Sequence, residues 1–106
     1  MRRPSSAAPL FAALGDETRL RLVARLSSEG PQSITRLAAG ADVTRQAITK
    51  HLHVLEGARL VRASRQGRER VWELEPGRLD DARSYLDAIS LEWDAALARL
   101  AKLVEG

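Results

Sequence analysis

The longest regular pattern in the chain lies near its end, where Leu79, Ala82, Leu86, Ile89, Trp93, Ala96, Leu100 and Leu103 recur at alternating spacings of three and four. That spacing puts them on one face of a helix, so residues 78–105 are predicted to form one long amphipathic helix. Leu97 and Val104 widen the apolar stripe beyond what a small globular body covers, and a partner helix is implied. Earlier segments are shorter and sharply punctuated. Residues 10–14 are apolar and closed by Gly15, and Asp16 then offers a side-chain acceptor to a helix starting near Glu17. Leu20, Val23 and Ala24, with Leu22 and Leu26 beside them, give that helix its apolar face. It stops at Gly30 and Pro31, the first suited to a left-handed terminus and the second unable to continue the ladder.

Ser33 caps a short helix through Ile34, Leu37 and Ala38, which Gly40 breaks. Thr44 caps the next, predicted over residues 45–56 and ending at Gly57. Two capped helices across a four-residue connection form a helix-turn-helix over residues 33–57. In its second helix Ile48, Leu52 and Leu55 point inward, which leaves Arg45, Gln46, Thr49, Lys50 and His53 on the outer face. Residues 60–65 and 69–74 then flank Gln66, Gly67 and Arg68, and the second run alternates with period two. This predicts a hairpin over residues 60–74 in which Trp72, Leu74 and the stem of Arg70 share a face. The expected fold is therefore mainly α with a small β-hairpin. A single domain over residues 9–106 follows a short loose arm over residues 1–8, where Arg2 and Arg3 lead into a polar, proline-punctuated stretch instead of an export signal.

Charge changes the picture by its distribution. The chain of 106 residues has a formal charge of only +3. Yet residues 33–70 hold eight basic side chains against three acidic ones, whereas residues 71–106 hold four against eight. The middle of the chain is the candidate polyanion-binding surface. A solvated helix face would carry similar residues, but a capped helix pair, a basic hairpin and a regional positive charge together point to nucleic acid. Arg45, Lys50, Gln46 and Thr49 supply the donors and acceptors that read base edges, with Thr44 and His53 beside them. Arg65, Arg68 and Arg70 on the hairpin suit phosphates and a minor groove, whose negative potential rewards arginine.

Other chemistry finds little footing. There are no cysteines, hence no disulfide, thiolate metal site or thiol sensor, and the cytosol is the natural compartment. No apolar run approaches the length of a membrane span. His51 sits at the edge of the buried helix face and reads as structural, and His51 and His53 are too close in sequence to share one side of a helix as metal ligands do. No nucleophile, base and orienting group assemble, and no phosphate loop appears, so no enzyme and no cofactor are expected.

Several blocks resemble a known family. Residues 13–22, with the run Gly15-Asp16-Glu17-Thr18-Arg19, are similar to the opening of ArsR-type repressors, as are residues 34–38, 44–52, 55–61 and the pair Gly67-Arg68. The resemblance spans roughly residues 11–74. It implies a winged helix-turn-helix homodimer on double-stranded DNA, a palindromic operator, the helix from Arg45 in the major groove, and terminal helices at the dimer interface. Leu10, Phe11, Leu14, Leu79, Leu86, Ile89, Trp93 and Leu100 are the expected interface residues. Two departures matter. Glu17 stands where many members have proline, and Ser33 and Thr35 stand where metal sensors carry a Cys-x-Cys. With no histidine on the last helix either, the chain resembles the cysteine-less members that do not sense metal. The alternatives are a metal- or ligand-responsive repressor of the same fold and a winged-helix module for protein interaction.

Overall fold

The computed structural model describes residues 4–105. Five helices and three strands follow in the order α1 (Pro4–Leu14), α2 (Glu17–Glu29), β1 (Gln32–Ser33), α3 (Ile34–Ala38), α4 (Arg45–Gly57), β2 (Val61–Gln66), β3 (Glu69–Leu74) and α5 (Pro76–Glu105). The sheet is antiparallel in the order β1-β3-β2. Gln32 pairs with Trp72 and Ser33 with Val71, while the hairpin runs from Val61 opposite Leu74 to Gln66 opposite Glu69. Strand β1 escapes periodicity because two residues are too few to display one. Only its pairing with β3 defines it.

The loose arm expected over residues 1–8 is helical from Pro4 onward, and residues 1–3 lie outside the described chain. Pro9 within α1 removes one helical hydrogen bond. Burial of Ala7, Leu10 and Ala13 along the inner face of α1 offsets that loss. Leu10 is only 1% exposed and packs in the protomer's own core, so its expected place at a dimer interface is corrected. Phe11 and Leu14 lie at the margin of that core, and the Phe11 ring meets Tyr85 of α5 at 5.7 Å between centroids.

Leu22 and Leu26 of α2, Leu37 of α3, Ile48, Leu52 and Leu55 of α4, and Leu60, Val61 and Trp72 around the sheet complete the core. Leu20, assigned to the apolar face of α2, is 51% exposed. Residues two apart on a helix point in nearly opposite directions, and the α2 face that packs inward is the one bearing Leu22 and Leu26.

Helix caps fix the boundaries. The side chains of Asp16, Ser33 and Thr44 accept from the backbone N–H of Arg19, Arg36 and Ala47, three residues on in each case. The end of α4 differs from the expectation. Gly57 is still helical, and Arg59 takes the left-handed conformation at φ 61°. The N–H of Arg59 bonds to the carbonyl of Glu56, and that of Leu60 to the carbonyl of Leu55. This is the paired closure that usually recruits glycine at the left-handed position.

Helix α5 begins at Pro76, two residues earlier than its pattern indicates. Arg78, buried at its start, donates from Nε to the Ala58 carbonyl at 2.9 Å and lies 3.5 Å from Asp81, tying α5 to the end of α4. At 30 residues a helix is about 45 Å long, most of the molecule's 67 Å long axis.

Candidate nucleic-acid interface

Helix α4 is two-faced because Ile48, Leu52 and Leu55 anchor it in the core at spacings of four and three. Rotation is then fixed, and Arg45, Gln46, Lys50 and His53 are exposed with Thr49 half-buried beside them. Thr44, also exposed, has its hydroxyl oxygen occupied at 3.1 Å by the Ala47 N–H that it caps. The Thr49 hydroxyl donates to the Arg45 carbonyl at 3.0 Å, so it meets solvent as an acceptor. Arg45, Gln46 and Lys50 therefore supply the outward donors of this face.

The hairpin adds a second cationic element. Arg65 and Arg70 are directly opposed across β2 and β3, a like-charge arrangement that is unfavourable in isolation. Gly67 takes φ 63° in the two-residue turn, which carries Arg68 at the tip. Arg65, Arg68 and Arg70 line an open concavity of about 420 Å³ with Ser64 and Glu56. On the other face of the hairpin Arg62 is neutralised by Glu73, Nε to Oε1 at 3.0 Å. Arg65, Arg68 and Arg70, which make no ion pair among the described residues, thus gather toward one side.

Trp72 joins the two elements. It is 2% exposed. The His53 ring meets it edge to face at 5.7 Å, and the Arg70 guanidinium lies 5.1 Å from its ring centroid, a cation–π geometry. His53 Nδ1 also lies 3.3 Å from Glu56 Oε1. A side chain of α4 and one of the hairpin are therefore packed on the same indole, which makes their surfaces continuous. Sequence periodicity placed Trp72 on the Arg70 side of β3 but gave no sign of its contact with His53, since that contact joins separate elements.

A second polar group lies behind α4. Arg19 of α2 donates from Nε to the Ala13 carbonyl at 2.6 Å, and its terminal nitrogen lies 3.2 Å from His51 Nδ1. Asp16 Oδ1 is 3.9 Å from the same ring nitrogen. The Arg19 backbone N–H, with the Arg19 guanidinium charge behind it, holds the Asp16 carboxyl below its ordinary range. His51 is thus the structural residue that its helix position implies, with partners that sequence spacing does not reveal.

Among the described residues no cluster of three or more His, Cys, Asp or Glu side chains is arranged to hold a metal ion. No helix among them is long and apolar enough to cross a membrane.

Residues 14–63 match a family model described as a helix-turn-helix domain. The chain is 40% identical over 95 residues to the HTH-type transcriptional regulator Rv2034 of Mycobacterium tuberculosis, covering 90% of this chain and 85% of that protein. An ArsR-like transcriptional regulator from Rhodococcus sp. RHA1 superposes with a TM-score of 0.82 at 36% identity, over 93% of this chain and 92% of that one. The chain belongs to the ArsR family of winged helix-turn-helix transcriptional regulators. It is a DNA-binding regulator and not an enzyme. The matched residues run from the end of α1 through α2, α3 and α4 into β2. A more distant likeness, a homodimeric winged helix-turn-helix DNA-binding domain from Mycobacterium bovis, shares the fold at a TM-score of 0.66 and 18% identity, over 83% of this chain and 81% of that one.

Proposed function

We propose that this ArsR-family chain is a dimeric repressor of the cytoplasm that binds a palindromic operator, with α4 in the major groove and the β2–β3 wing on the flanking backbone and minor groove. One observation carries this reading. His53 of α4 and Arg70 of the wing pack on the same buried Trp72, so the outward face of α4 and the arginines of the hairpin make one surface. Arg45, Gln46, Thr49 and Lys50 face the bases from α4, with Thr44 at its start and His53 toward the wing. Arg65, Arg68 and Arg70 meet phosphates. An opposed arginine pair gains most beside a polyanion.

Dimerisation is supported by the surface of α5. Leu86, Trp93, Leu97, Leu100 and Leu103 are exposed on one stripe, with Trp93 at 63% and Leu103 at 81%. Ile89 is half-buried between them, and Leu79 meets the core at the base of the helix. Phe11 and Leu14 continue this apolar margin on α1. The homodimeric M. bovis domain has the same fold, and a two-fold pairing of stripes would set two α4 helices about one DNA turn apart. Selection from random duplexes tests the reading. It should return an inverted repeat with half-sites about ten base pairs apart, bound by two chains. Recovery of no preferred sequence, or of a single asymmetric half-site bound by one chain, would overturn it.

A further inference from the structure

The Arg19–His51 contact joins three elements that the DNA-reading surface depends on without touching it. Arg19 holds the last turn of α1 through the Ala13 carbonyl and reaches His51 on α4 through its terminal nitrogen. A guanidinium has donors only, so His51 Nδ1 must accept, and the ring proton of neutral His51 must sit on Nε2. Protonation at Nδ1 removes that acceptor. It sets an imidazolium against the guanidinium and turns the same nitrogen into a donor facing Asp16 Oδ1, 3.9 Å away.

We infer that His51 is a positioning residue for the reading helix: neutral, it clamps α4 to α1 and α2 through Arg19, and protonated, it exchanges Arg19 for Asp16 and lowers operator affinity. The inference rests on α4 being the reading helix. The ring is half-buried, with 23% of the side chain exposed, so water reaches it and protons exchange. Its surroundings are otherwise quiet. On α4 the positions three and four away are Ala47, Ile48, Val54 and Leu55, none charged. Helix α1 has no ionisable side chain. On α2, Arg21 and Arg25 are paired with Glu17 and Glu29. The charged side chains on the other elements packed against α4 are Arg36 of α3 and Arg62 and Arg65 of β2, all exposed. Asp16 and Arg19 are therefore the charged groups that face His51 Nδ1, one as an acceptor and the other as a donor.

The chain has two histidines and no cysteine, so a His53→Gln background leaves His51 as its one histidine, and binding is followed between about pH 5.5 and about pH 7.5. Affinity for the selected duplex should fall about tenfold across that interval as pH drops, the equivalent of one hydrogen bond lost, while a scrambled duplex is bound almost evenly. Adding His51→Gln supplies a carbonyl that still accepts from Arg19 but does not titrate. It should keep the high-pH affinity and flatten the profile. Imidazole nitrogen chemical shifts of the wild-type chain, recorded without DNA, should show neutral His51 protonated at Nε2. A neutral ring protonated at Nδ1, a flat profile in the His53→Gln chain, or a slope surviving His51→Gln overturns the inference. Because the nitrogen shifts need no duplex, failure of α4 to read DNA and failure of the Arg19–His51 contact are read separately.

Discussion

A single exposed side chain on α4 has little to gain from folding and much to gain from a base. The Gln46 side chain makes no hydrogen bond among the described residues and projects from the first turn of α4, where its amide could both donate to and accept from one base. Gln46→Ala should weaken binding to the selected duplex by about 1–3 kcal/mol and leave a scrambled duplex nearly unaffected. On the proposed reading, Arg68 at the hairpin tip acts by charge. Arg68→Ala should weaken both duplexes by similar factors and reduce the salt slope by about one unit per lost phosphate contact. Binding isotherms for both variants across a salt series make the comparison. A silent Gln46→Ala, or an Arg68→Ala that leaves affinity and slope untouched, would move the reading surface elsewhere. The outward set on α4 was legible in the sequence because three core residues fix the rotation of a helix. The committed hydrogen of Thr49 was not, since its partner is a backbone carbonyl one turn back and both rotamers suit the pattern.

Among the elements, the end of α4 carries a conflict between sequence and conformation. Gly57 occupies a helical position where a Cβ would meet nothing within 4 Å, while Arg59 two residues on holds a positive φ. Gly57→Ala should stabilise the chain by about 1 kcal/mol, the helix-interior difference between the two residues. Arg59→Gly should stabilise it by about 1 kcal/mol or somewhat more by relieving the left-handed penalty. Urea midpoints measure both, and their sum in the double variant tests whether the two sites act independently. A loss of stability in Gly57→Ala would mean that α4 stops before Gly57. The sequence pointed to the glycine as terminator because glycine is the usual left-handed residue. The structure puts the turn at Arg59, where closure brings Leu60 and Val61 into the core with almost no exposure. Burial of two apolar side chains outweighs one strained backbone angle.

For the whole molecule the decisive feature is a helix that outruns its own body. Replacing Leu86 and Ile89 together by glutamate should give soluble monomers by sedimentation, with weaker operator binding because each half-site is then held alone. Trp93 provides an optical check: in a Trp72→Phe chain its emission should be blue-shifted at high concentration and move red on dilution as the exposed indole returns to water. A wild-type chain that sediments as a folded monomer at micromolar concentration would end the dimer reading.

By itself the sequence determined the helical periodicities, the caps at Asp16, Ser33 and Thr44, the hairpin around Gly67 and the clustering of positive charge. Each of these is a local matter of spacing, backbone chemistry or composition. Tertiary structure alone decided the rest. It drew Leu10 into the core, extended α1 through residues assigned to a loose arm, recruited Gln32 and Ser33 as a strand and buried Arg78 against α4. It also set Arg19 on His51, and Trp72 between α4 and the β2–β3 hairpin. Those outcomes depend on which faces meet across distant parts of the chain, and side-chain contacts between separate elements leave no period in the sequence that encodes them.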